Sequence, residues 1–109
     1  MASFNPSIAI LVELLDQGFD HKAWHGPNLR GAIRRLSAAQ AAWRPRPGRH
    51  SIAEIVVHCA YWKYAVRRKL RGDGRGSFAL KGSNWFPQPD NLHEADWKQS
   101  VAILCEAHA

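Results

Sequence analysis

Residues 51–72, SIAEIVVHCAYWKYAVRRKLRG, decide the fold. Ser51 and Glu54 form a capping box, in which the hydroxyl and the carboxylate each satisfy a backbone N–H that a helix start leaves orphaned. Ile52, Ile55, Cys59, Trp62, Val66 and Leu70 then recur at helical spacing, which predicts one long helix with that stripe turned to a core. Arg67, Arg68, Lys69 and Arg71 gather in its last turn, where positive charge complements the helix dipole, and Gly72 ends it.

Outward from this helix the pattern stays helical. Toward the N-terminus, Asn5 and Pro6 mark a start, and Ile8, Leu11, Val12, Leu15 and Phe19 follow at helical spacing toward Gly18. Leu29, Ile33 and Leu36 stack above one another after Gly26-Pro27, either as a kinked continuation or as a second helix. Ser37 to His50 holds Pro45, Pro47 and Gly48 and reads as a connection. Gly72 to Asn91 reads as a long loop carrying Trp85-Phe86, and a loop of that length in a small domain is usually functional or mobile. A last helix opens at Asn91 with Glu94 three residues on, and places Trp97, Val101, Leu104, Cys105 and His108 on one side. No segment alternates with the period of a strand. The fold class expected is all-α, an up-down helical bundle with antiparallel neighbours, in one domain over residues 1–109.

Composition narrows the function. With 46% hydrophobic residues and five Trp the chain fills a core, which excludes a disordered segment. A net charge of +6, from 15 Lys+Arg against 9 Asp+Glu, favours an anionic partner. Nucleic acid is disfavoured nonetheless, because the basic residues, Arg44, Arg46 and Arg49 among them, are spread over helix ends and a loop without a DNA-binding motif. Cys59 and Cys105 are too few for a disulfide framework and read as reduced, buried thiols of a cytoplasmic protein. No apolar run is long enough to cross a membrane. Glu13 and Asp16 interrupt the N-terminal apolar stretch, which lacks the basic start of a signal peptide.

The candidate chemistry rests on histidines. At 100° per residue His58 lies about 60° from Ile55, at the edge of the predicted core. There it is either a metal ligand or a core-edge histidine bonded to a carbonyl or water. His21 and His25 are four apart, the spacing of a two-histidine chelate if helical, and otherwise stand at the surface or at a pocket mouth. His50 and His93 read as solvated, and His108 falls in register with the last helix's apolar side. Trp62 and Trp97 read as core, and Trp85 and Phe86 as the lining of a pocket mouth. Phosphate-binding glycine loops, G-x-S-x-G, HExxH and zinc CxxC motifs do not occur.

In combination, several pieces resemble the DinB-like (YfiT-type) family. They are Trp24-His25-Gly26-Pro27, the turn Ala41-Ala42-Trp43-Arg44-Pro45 with Pro47-Gly48, and the helix Ser51-Ile52-Ala53-Glu54-Ile55-Val56-Val57-His58. The Trp85-Phe86-Pro87 loop and the Trp97 helix add to them. The resemblance implies a four-helix bundle holding a divalent metal, zinc or nickel, on three histidines. His58 stands at the position of one. The other two belong to an H-x3-H pair on a final helix, which is expected to be absent from this chain. By the same resemblance His25, with Trp24, sits at the mouth of the metal cavity, as a pocket residue or a substitute ligand. The site expected is thus His58 and His25 for metal, with Trp24, Trp62 and Trp85 in the pocket. The function expected is a metal-dependent enzyme of the thiol-transferase or hydrolase type with an incomplete site, acting on a small-molecule or thiol substrate as a homodimer. The alternative is a non-catalytic basic helical module for dimerisation or binding.

Overall fold

The structure, a computed structural model, describes residues 5–20, 28–72 and 78–108. All regular structure among them is helical: α1 (Pro6–Phe19), α2 (Leu29–Ile33), α3 (Ala38–Ala42), α4 (Ile52–Arg71) and α5 (Glu94–His108). None of these helices is long and apolar enough to cross a membrane. The chain separates into two compact units, Met1–Leu36 and Ser37–Ala109.

In the first unit, the Asn5 side chain caps α1 by accepting from the N–H groups of Ser7 and Ile8, with Pro6 in the first turn. The expected apolar stripe of α1 is not a core stripe. Only Phe19 is buried, whereas Ile8, Leu11, Val12 and Leu15 are exposed. α2 begins at the Asn28 cap and ends at Ile33, short of Leu36, because Arg34 turns extended and Arg35 adopts a left-handed φ of 68°. Asp20 after α1 pairs with Arg30 and Arg34 at 3.4 and 3.3 Å.

The second unit starts with a short helix inside the stretch Ser37 to His50, where a connection is expected from the prolines. Ser37 and Gln40 form a capping box, Ser37 Oγ accepting from Gln40 N–H at 3.2 Å and Gln40 Oε1 from Ser37 N–H at 2.9 Å. That box opens α3. The expected Asn91–Glu94 cap is also revised, since Glu94 Oε1 instead accepts the N–H of Ala38, at the start of α3.

α4 forms as expected, from the Ser51–Glu54 capping box to the left-handed Gly72. Its buried face is not the expected one. Ala53, Val56, Val57, Ala60 and Ala65 are buried, while Ile55, Trp62, Val66 and Leu70 are exposed, Leu70 at 83%. α5 packs along α4 with Trp97, Ser100, Ile103 and Leu104 inward, and α3 packs against both. A face of alanines and valines permits a close approach of two helices, since interaxial distance follows side-chain size.

α4 and α5 run parallel, against the expectation of antiparallel neighbours. The segment before α5 returns to the first turn of α4, where Gln88 N–H donates to Glu54. From there α5 advances beside α4 until His108 meets Lys63 at 2.9 Å. A 20-residue helix is about 30 Å long, a distance the residues between Gly72 and Glu94 can span when extended.

The assignment of faces is testable by cavity formation. Leu104, fully buried, should lose about 2–5 kcal/mol of stability on truncation to alanine. Leu70→Ala should stay within about 0.5 kcal/mol. Urea midpoints in the reverse order would mean that Leu70, and not Leu104, is packed in the core.

Candidate functional site

The site is built around one arginine. Arg44 precedes Pro45, and the residue before a proline is held out of the helical region. Its guanidinium fans out over three segments. Nε donates to Asp90 Oδ1 at 2.9 Å, Nη2 to the Gln88 carbonyl at 2.8 Å, and Nη1 both to the Arg49 carbonyl at 2.8 Å and to Glu54 Oε1. Glu54 is buried and fully used. Oε1 also accepts from Ser51 N–H at 3.0 Å, and Oε2 accepts from Gln88 N–H at 3.2 Å. Burial pushes the Glu54 carboxyl up, but the bonds from Arg44, Ser51 and Gln88 outweigh it and hold the group below the usual carboxylate range. The hydrogen bond to Glu54, then the one to Asp90, raises Arg44 further above its ordinary value.

This frame sets residues 84–88 beside the first three turns of α4. The Trp85 ring stacks on His50 at 3.6 Å and 2°, and on His58 at 3.9 Å and 8°. Such short centroid distances leave too little lateral offset for two imidazoles to share one indole face, so they lie on opposite faces. Asn84 bonds two side chains of α4. Its carbonyl lies 2.8 Å from His58 Nδ1, and its Oδ1 accepts from Trp62 Nε1 at 2.8 Å. Trp62 meets His58 edge-on at 6.5 Å. Phe86, the next residue along, is buried and packs on Tyr61 and Phe78, which anchors the loop to α4.

Of the residues expected in the site, His58, Trp62 and Trp85 come together. His21, Trp24 and His25 lie outside the described residues. His58 is half-buried under the loop, and Trp62, expected in the core, is 43% exposed with its N–H bonded to Asn84. His50, expected to be solvated, is exposed at its rim but stacked on Trp85, and its Nδ1 is 3.7 Å from Glu54 Oε1. His108 is hydrogen-bonded to Lys63, and His93 is exposed. Arg44, Glu54 and Asn84 were not singled out as site residues. Glu54 carried a signal only as a cap, and nothing local distinguishes Asn84. Cys59 and Cys105 are free and half-buried, and burial raises the Cys59 thiol against the pull of Lys63, which makes it a poor nucleophile.

Among the described residues no group of three His, Cys, Asp or Glu side chains is placed to hold an ion. His50 and His58 have an indole between them. One imidazole nitrogen does not make a catalytic zinc site, which takes three protein ligands.

The sequence profile of the DinB superfamily matches residues 22–109. No curated protein and no solved structure matches the chain.

The depressed Glu54 carboxyl gives a stability contribution that is present above the unfolded carboxylate value of about 4.3 and is lost as pH falls through the folded value. Glu54→Gln should therefore cost roughly 1–2 kcal/mol at neutral pH, discounted for the partly exposed Arg44. The difference from wild type should shrink as the pH drops below about 4. Urea unfolding at several pH values checks this, and a difference independent of pH would refute it.

Proposed function

We infer, for a chain that belongs to the DinB superfamily, a metal-dependent enzyme of the thiol-transferase or hydrolase type in which His58 holds a ligand position. The observation that supports it most is the fixing of His58. Its Nδ1 is bonded to the Asn84 carbonyl, so Nε2 is the nitrogen left for another partner. Metal-ligating histidines commonly have their second nitrogen held on a carbonyl in this way. A core-edge histidine makes the same bond, so Nε2 is what separates the two readings. A zinc or nickel ion there would lower the pKa of a bound thiol or water and generate a nucleophile at neutral pH.

The chain's own residues do the positioning. Trp85 and Trp62 flank the imidazole on a face and at an edge. Arg44 and Glu54 hold the loop that carries Asn84 and Trp85. Among the described residues His58 supplies one ligand nitrogen. In this reading the remaining donors would come from a second copy, its His58 facing the first in a homodimer, and the enzyme would work in the cytoplasm on a small-molecule or thiol substrate. His25, the other metal residue expected from the sequence, lies outside the described residues.

A basic binding module is the second reading, favoured by the exposed Arg67, Lys69 and Arg71 at the end of α4 and the net charge of +6. Metal content per chain, measured on untagged wild type and His58→Ala with the oligomeric state of the same samples, decides between the two. Near-stoichiometric metal that disappears in His58→Ala is the expected result. Metal-free wild type would overturn the enzyme reading. Binding to a polyanion that weakens steeply with salt would then identify the module.

A further inference from the structure

Donor and acceptor chemistry fixes more about His58 than its position. Asn84 has a left-handed φ of 65°, a conformation that asparagine tolerates better than most residues. From there it reaches two α4 side chains one turn apart, with its carbonyl 2.8 Å from His58 Nδ1 and its Oδ1 2.8 Å from Trp62 Nε1. An indole N–H only donates, so the Trp62 bond fixes which end of the Asn84 amide faces α4. A carbonyl only accepts, so the other bond requires a proton on His58 Nδ1. In a neutral imidazole the lone pair is then on Nε2. The stacked Trp85 ring, next in the chain to Asn84, opposes rotation of the imidazole.

We propose that Asn84 is a positioning residue that selects the Nδ1–H tautomer of His58 and so presents Nε2 as the Lewis base of the site. Its functional meaning rests on His58 being the working nitrogen, as argued under Proposed function, but the tautomer itself does not depend on a metal. The two bonds form a linked device. The side-chain bond to Trp62 holds the left-handed turn, and the turn aims the backbone carbonyl at His58. Histidine without such a partner exchanges its proton between both nitrogens.

The test reads ring nitrogens directly, in long-range proton–nitrogen spectra of metal-free, nitrogen-15-labelled protein at about pH 8, where imidazole is neutral. The His58 signals are assigned by their loss in His58→Gln. Wild type should show a protonated Nδ1 and an unprotonated Nε2. Asn84→Val removes Oδ1 and puts a β-branched residue where φ is positive, so both nitrogens should move toward tautomer-averaged positions. Asn84→Asp keeps an acceptor and tolerates the turn, and should restore the wild-type pattern. Trp62→Phe removes the anchor without straining the turn, and should shift the nitrogens in the same direction as Asn84→Val. It carries the test alone if the valine variant does not fold.

A wild-type His58 protonated at Nε2 overturns the proposal, and so does an Nδ1–H tautomer that persists in Trp62→Phe and Asn84→Val alike. Zinc or nickel added to the same samples separates this inference from the enzyme reading. A wild-type Nδ1–H tautomer whose Nε2 does not respond to metal sinks the ligand assignment and leaves the role of Asn84 intact. A response at Nε2 that needs roughly ten- to a hundredfold more metal in Asn84→Val supports both.

Discussion

The ion pair of Arg44 with Glu54 is the constraint on which the rest of the second unit depends. Neither partner serves only the other. Glu54 closes the capping box of α4 while receiving Arg44 and the backbone of Gln88, and Arg44 binds the 49 carbonyl, the 88 carbonyl and Asp90 besides. A half-buried ion pair adds little stability by itself, because desolvation offsets much of the attraction. Its value here is positional. A planar guanidinium with five donors in a fixed fork can tie three chain segments at set angles, which a lysine in its place would not do.

That tie explains why α4 and α5 run parallel. The chain leaving α4 must come back over its length before α5 begins, and the bonds to Gln88 and Asp90 fix where it arrives. The returning segment is then laid against α4 by Phe86, buried beside Tyr61 and Phe78. With Phe86 turned inward, its neighbour Trp85 faces the two histidines. The loop is thus both the crossover of the fold and one wall of the site, so an exposed residue such as Asn84 acquires a role through its place on a fixed backbone.

The helical class, the span of α4 and its caps were all legible in the residues. Ser51 and Glu54 satisfy orphan N–H groups over three residues, and Gly72 takes a left-handed turn, both events that local chemistry decides. α3 is equally local, written in the Ser37–Gln40 capping box, but it spans five residues and the prolines that follow mask its signal. The family resemblance, carried by short motifs spread along the chain, agrees with the profile match over residues 22–109. His58, Trp62 and Trp85 were legible as individuals of the right type.

Which side of α4 is buried was not legible, and the reason is physical. The helix has apolar residues on two faces, and a stripe read from side-chain size selects Ile55, Trp62, Val66 and Leu70. The packed face is the one of Ala53, Val56, Val57 and Ala60, because burial depends on how closely α5 can approach. Distance between helices is a property of the pair. The same holds for the site: Asn84 and His58 are 26 residues apart, and Arg44 and Gln88 are 44 apart. The sequence by itself determined what depends on neighbours within a turn, namely helix starts, stops and the residue types available for chemistry. Only the tertiary structure decided which of those residues meet, because a hydrogen bond across such separations exists only once the intervening chain has folded back.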